Sequence, residues 1–121
     1  MRFFLAGAVM FTLVGSCHYG VADISSVPDN PTYNRDVYPL FRDHCLLCHS
    51  SPPNRDAYKA LAFRLDVYDD TNGVPGAMSM ASSALYDVNI NKMPPGAKDG
   101  DGVGPNGKAM LQRWVDNGTP Q

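Results

Sequence analysis

The chain has 121 residues, of which 44% are hydrophobic and 18% charged, and its formal net charge is −2. This length corresponds to one small domain, for which apolar burial alone gives only marginal stability. Because the chain carries no excess of basic residues, we expect no nucleic-acid partner.

Residues 1–16 predict a lipoprotein signal peptide. Arg2 is followed by an apolar run from Phe3 to Val14 that is too short to span a bilayer and is typical of an export signal. Small residues directly before Cys17 resemble a lipobox, after which Cys17 would carry lipid and become the mature N-terminus. An ordinary secretory signal, cleaved near Ala22, is the alternative. The chain has three Cys, and lipid on Cys17 explains the odd one in an exported protein.

Residues 17–32 contain Gly, Ser, Pro, Asp and Asn without periodicity and predict a flexible tether. The folded domain is expected to span 33–121. Its first helix is predicted over 36–47, with Asp36 as N-cap and Pro39 in the first turn. Helical spacing relates four positions: Val37, Leu40, Phe41 and Cys48. The C-terminal end of this helix is therefore expected to present Cys45 and Cys48.

Cys45, Cys48 and His49 form a Cys-x-x-Cys-His motif at the end of this helix, which is the attachment site of a c-type haem. Two intervening residues set the separation of the sulfurs so that both reach the vinyl groups of a porphyrin. The imidazole of His49 then supplies the proximal iron ligand. A backbone carbonyl within 51–53 is expected to accept a hydrogen bond from the other nitrogen of this ring; the alternative is that Pro52-Pro53 only ends the helix.

The two cysteines of the motif have three alternative roles. They could form a thioredoxin-like redox pair, half of a zinc site or a structural disulfide. A zinc site would need two further ligands, for which His18, His44 and Cys17 are the candidates.

Four further elements are predicted downstream. They are a short helix over 56–62, an extended segment over 63–68, a turn over 72–76 and a helix over 79–88. The last helix is predicted over 107–117, where Leu111, Trp114 and Val115 form an apolar stripe. Gly118 stands where a left-handed C-terminal cap belongs, and Pro120 prevents continuation.

The second axial position of a haem iron decides between electron transfer and ligand binding. Met93 is predicted to fill it, because Pro94 and Pro95 stiffen its loop and hold a weak thioether ligand at little entropic cost. His44 directly precedes the motif and is expected to be too close in sequence to reach the opposite haem face. The remaining methionines considered are expected to pack in the core: Met78, Met80 and Met110.

Several short stretches of the chain occur together in one known family. They are Tyr33, residues 36–41, the Cys-x-x-Cys-His motif, residues 63–66 and 73–76, Met93-Pro94-Pro95, and Leu111-x-x-Trp114-Val115-Asp116-Asn117-Gly118. Through them the chain resembles class I-like c-type cytochromes, and among these the small cytochrome domain of planctomycetes and myxobacteria. The resemblance implies an all-α cytochrome c-like fold with the N- and C-terminal helices packed around one covalent haem c. It also implies axial ligation by His49 and Met93.

The expected function is electron transfer by a single haem in a domain tethered to a membrane through Cys17. Its partners would be redox proteins, and we expect neither a small-molecule substrate nor enzymatic activity of its own. The alternatives are a haem-based sensor or peroxidase-like enzyme with an open distal site, and a dedicated electron-transfer subunit of a larger oxidoreductase. The expected location is the periplasmic side of a bacterial membrane, lipid-anchored in the outer membrane, with a soluble periplasmic protein as the alternative.

Overall fold

The computed structural model describes residues 23–51, 63–97 and 102–121. Within these ranges the regular structure is entirely helical and contains no strand. A π-helical turn, Tyr33–Val37, leads directly into α1, Tyr38–His44; α2 spans Ala77–Asn89 and α3 spans Pro105–Asp116. The predicted all-α class is therefore confirmed for this part of the chain. The helix predicted over 56–62 and the signal peptide lie outside the described residues.

The first helical segment lies closer to the N-terminus than predicted, over 33–44 instead of 36–47. Asp36 is not its N-cap, because it lies inside the π-helical turn. Its carboxylate Oδ2 instead accepts the backbone N–H of Thr32 at 2.8 Å, so it reaches back over the start of the helix as the acidic residue of a capping box does. Pro39 lies in the first turn of α1, as predicted.

The turn predicted over 72–76 is present between Thr71 and Val74. Asn72 and Gly73 have positive φ of 52° and 78°, and the flanking residues exchange backbone hydrogen bonds of 2.9 and 3.0 Å. Positive φ at both central residues is the geometry of a type I′ turn. The preceding segment over 63–68 forms no strand, although its Leu65 is buried at the core, because its backbone groups pair irregularly with several different segments.

The core forms where α3 packs against the first helical segment. Trp114 is fully buried, and its ring lies 6.3 Å from those of both Phe41 and Tyr33, measured between centroids. Gly107 allows close approach at the other end of α3, because a Cβ there would lie 3.2 Å from Cδ1 of Leu40 and would collide with Val103. The first and last helical segments therefore pack directly on each other.

The C-terminus of α3 has the predicted left-handed cap. Gly118 has φ of 80°, its N–H donates to the Val115 carbonyl at 3.0 Å, and the N–H of Thr119 donates to the Trp114 carbonyl at 2.9 Å. This pair of bonds is a Schellman motif.

The methionines differ in their environment. Met110 is buried, as predicted, and Met80 packs partly buried against the core. Met78 is 41% exposed, so its predicted place in the core is wrong; it lies in the first turn of α2.

Residues 23–31, which we call the strap, lie against α3 and differ from the free tether predicted over 17–32. The Asp23 carboxylate accepts the backbone N–H groups of Asn106 and Gly107, both at 3.1 Å. It therefore caps α3 from a distant part of the chain, satisfying two of the donors that a helix start leaves unpaired. Gly104 is required here, because its φ is 81° and a Cβ would collide with the Asp23 side chain.

Replacing Tyr33 by Phe tests the contribution of a buried hydrogen bond in the core. The Tyr33 side chain is 3% exposed and its hydroxyl donates to the Leu65 carbonyl at 2.9 Å. Losing this bond should lower the free energy of unfolding by about 1 kcal/mol at pH 7. Tyr86→Phe is the control, since the Tyr86 side chain is 63% exposed, and should leave stability unchanged.

The stability difference between wild type and Tyr33→Phe should also depend on pH. Burial, followed by the nearby Asp66 carboxylate, raises the pKa of Tyr33 from 10.0 to about 12. The folded state thus holds the phenolic proton more tightly than the unfolded state. The protonated Tyr33 hydroxyl therefore contributes its full stabilisation below pH 10, and this stabilisation is lost as the pH rises through 12. The difference in free energy of unfolding between wild type and Tyr33→Phe, measured with urea, should narrow between pH 10 and 12. A difference that widens there would contradict the assignment.

Candidate functional site

The Cys-x-x-Cys-His motif forms a tight turn immediately after α1. The Cys45 carbonyl accepts the N–H groups of Cys48 and His49 at 3.1 and 2.9 Å. The N–H of Leu65 donates to the His49 carbonyl at 2.8 Å, which joins the motif to the segment over 63–68. Because α1 ends at His44, both cysteines lie in this turn and not on the predicted helix face.

His49 is a buried base at the centre of the site. Its ring stacks on Phe63, with the centroids 4.3 Å apart and the planes 13° from parallel. Burial lowers its pKa, so the imidazole is neutral at pH 7, which is the form that binds metals. Phe63 was not predicted to have a role at the site, although it belongs to residues 63–66, which contribute to the family resemblance.

Nδ1 of His49 is buried and has no hydrogen-bond partner among the described residues. A buried polar nitrogen without a partner lowers the free energy of unfolding by about 1–3 kcal/mol, and native proteins contain few such groups. Of the carbonyls predicted to accept from this ring, that of Ser51 does not do so, while residues 52 and 53 lie outside the described part of the chain.

The two cysteines of the motif are free thiols, with no disulfide between them. Burial, followed by the proximity of Cys48, raises the pKa of the Cys45 thiol to about 12. A redox-active or nucleophilic Cys needs the opposite shift, because the thiolate is its reactive form. The direction of this shift is opposite to the one that activates a thioredoxin-like Cys.

The zinc alternative also lacks geometric support in the described residues. No three His, Cys, Asp or Glu side chains among them are grouped so that they could hold a metal ion. A structural zinc site needs four such ligands, whereas a haem iron takes only axial ligands from the protein. His18 and Cys17, two of the candidate zinc ligands, lie outside the described residues.

Two cavities of about 60 Å³ each adjoin the motif. Cys45, His49 and Met93 line both of them, and Cys48 lines the first. The other residues of the first cavity are His44, Pro94 and Pro95. The second is closed by core and α2 side chains: Phe41, Phe63, Leu65, Met80, Ser83, Ala84, Asp87 and Val88. The fold thus brings the four predicted haem-binding residues together.

The loop that carries Met93 is attached to the end of α2. The N–H groups of Lys92 and Met93 both donate to the Asp87 carbonyl, at 2.8 and 3.1 Å. The chain then turns through a cis Met93–Pro94 peptide, and the N–H of Ala97 donates to the Pro94 carbonyl at 3.0 Å. These bonds hold Met93 at the wall of both cavities.

His44 lies closer to the site than its sequence position led us to expect. It is half-buried and lines the first cavity together with Pro94 and Pro95 of the Met93 loop. Burial lowers its pKa. Because this residue directly precedes the motif, it was not expected at a cavity wall shared with the Met93 loop.

The chemistry of the site fits a covalent haem. Two thiols, a buried neutral imidazole with an unpartnered nitrogen and a thioether meet at cavities with largely apolar walls. The cavities are smaller than the roughly 300–1,000 Å³ of sites that hold ligands of similar size. The walls therefore stand closer together than they would around a porphyrin.

The described helices include none that is long and apolar enough to cross a membrane. Cys17, the predicted lipidation site, lies outside the described residues. No family model matches the chain, no curated protein matches it, and no solved structure matches it.

Proposed function

We propose that the protein transfers electrons through a single haem c attached to Cys45 and Cys48, with His49 and Met93 as the axial ligands. The observation that carries this proposal is that all four residues line one cavity. The residues come from two separate segments, the turn after α1 and the loop after α2, so their meeting does not follow from sequence proximity.

Each residue of the site has a defined task in this proposal. The thiols of Cys45 and Cys48 form thioethers that hold the group permanently. The neutral imidazole of His49 is kept in place by its stack on Phe63, and the Met93 loop is held by its bonds to Asp87. When bound, the haem supplies a one-electron iron couple, whose potential a His/Met ligand pair raises.

The packing of the first helical segment on α3 supports a cytochrome c-like arrangement, in which these two segments lie beside the haem. We propose that the domain is anchored through lipid on Cys17 at the periplasmic side of a bacterial membrane. Redox proteins are its proposed partners, either as a free carrier or within a larger oxidoreductase.

A second candidate is a haem sensor or peroxidase-like enzyme. The observation that favours it is His44, an imidazole at the wall of the same cavity as Met93. Peroxide chemistry needs an acid/base group of this kind beside an open iron position.

The three cysteines allow a direct test of the proposal, because the haem would use two of them and the lipid the third. Cys45→Ala combined with Cys48→Ala should lose covalent haem attachment, detected by haem staining after denaturing electrophoresis, and should keep the lipid, detected by mass spectrometry. Cys17→Ala should keep the haem and lose the lipid. Haem that leaves the denatured wild type would contradict the covalent assignment, and an unmodified Cys17 would contradict the anchor.

A further inference from the structure

The strap follows α3 from one end to the other. It starts at the helix N-terminus with the two bonds from Asp23, and the Asn106 side chain donates to the Ile24 carbonyl at 2.8 Å. Further along, Nη1 of Arg113 donates to the Pro28 carbonyl at 2.8 Å, and the Asn117 side chain donates to the Asp29 carbonyl at 3.3 Å. The strap and α3 therefore run in the same direction, and the strap begins at the N-terminal end of α3.

The beginning of the strap lies beside the candidate haem site. A groove of about 410 Å³ is lined on one side by Ile24 and Ser26 of the strap and on the other by Asp43 and His44 of α1. His44 also lines the first cavity of the candidate haem site. The groove at the strap start and that cavity thus share His44 as a wall residue.

The length of chain before the strap limits how far the domain can move from a lipid anchor. Asp23 follows Cys17 by only six positions. Whatever conformation these residues take, they span at most about 20 Å. If the whole stretch over 17–32 were a free linker, its reach would be about 50 Å, and the domain could turn in any direction.

We infer that the strap orients the domain on the membrane, holding the His44 side of the haem cavity toward the lipid surface. The inference rests on the proposed lipidation of Cys17 and on the proposed haem. It follows that the redox partner of this domain is itself membrane-bound, since a partner must approach the cavity from the bilayer side.

Energy transfer from lipid to haem tests this orientation. The full-length, lipidated haem protein is placed in phosphatidylcholine–phosphatidylglycerol vesicles that carry a fluorescent headgroup, and quenching by the haem is measured. An insert of about 24 Gly and Ser residues between Val21 and Ala22 raises the root-mean-square span of the linker from about 13 to about 30 Å. We expect it to lower the transfer efficiency roughly twofold. The same insert between Asn72 and Gly73, in the exposed turn, should leave the efficiency unchanged.

A second variant separates the strap from mere linker length. Asp23→Ala combined with Arg113→Ala removes the Asp23 bonds at the start of α3 and the Arg113 bonds near its end. It should lower the transfer as the insert does, with the haem spectrum confirming the fold. Unchanged transfer in either the Val21 insert or this double variant would overturn the inference. Mass spectrometry and the haem spectrum of the wild type are recorded first, so that failure of the anchor or of the haem is recognised separately. If the lipid and the haem are both present and the transfer efficiency is the same in the variants as in the wild type, the proposed function stands and the proposed orientation is wrong.

Discussion

Replacing Met93 by Ala is expected to make the iron of the proposed haem bind carbon monoxide, which it should not bind in the wild type. The wild-type iron, held by His49 and Met93, should be six-coordinate and low-spin in the visible spectrum. Removal of the thioether leaves one axial position open. Saturating carbon monoxide should therefore convert the visible spectrum of the reduced variant completely and leave that of the reduced wild type unchanged. The reduction potential should also fall, because the Met ligand is what raises it.

Two further variants keep this result interpretable. Met78→Ala removes a methionine that is 41% exposed on α2, and should behave as the wild type. His44 lines the cavity beside Met93, so it could occupy the vacated position; Met93→Ala is therefore also made in a His44→Gln background. Rapid binding of carbon monoxide by the wild type would favour the sensor or peroxidase reading over electron transfer.

The local features of this chain were predictable because their causes lie within a few residues of each other. Gly118 ends α3 where a left-handed cap is needed, and Asn72-Gly73 forms its turn because both residues tolerate positive φ. The meeting of Met93 with the Cys-x-x-Cys-His turn was predicted through the stiffness of its loop and through resemblance to a family.

The features that were missed depend on contacts between distant parts of the chain. Asp23 looked like a linker residue because the helix start that it caps lies more than eighty positions away. Asp36 was assigned the N-cap, but a π-helical turn starts the helix earlier, at Tyr33. The spacing of neighbouring residues cannot predict the contacts of the strap or the π-helical start of the first helical segment, because packing against α3 determines both.

Replacing Trp114 by Ala is expected to cause the largest loss of stability among single substitutions in the described core. Trp114 is fully buried, its Nε1–H donates to the Pro120 carbonyl at 2.9 Å, and its ring meets Phe41 edge-on. Truncating a buried Trp costs about 3–5 kcal/mol, which is a large part of the roughly 5–15 kcal/mol that holds a domain folded. Tyr86→Ala, on the exposed face of α2, is the control and should change stability by less than about 0.5 kcal/mol.

The Trp114 variant also tests whether haem and helix packing stabilise each other. Phe41 contacts Trp114 on one side and lines the second cavity of the candidate haem site on the other. A covalent haem stays on the unfolded chain, but its contacts with Phe41 would form only in the folded state. These contacts should hold Phe41 in place when Trp114 is removed, so the loss of stability should be smaller in the haem-bound form. Chemical unfolding of the haem-free and haem-bound forms measures this. An equal loss in the two forms would mean that the Phe41–Trp114 contact supports the fold without supporting the site.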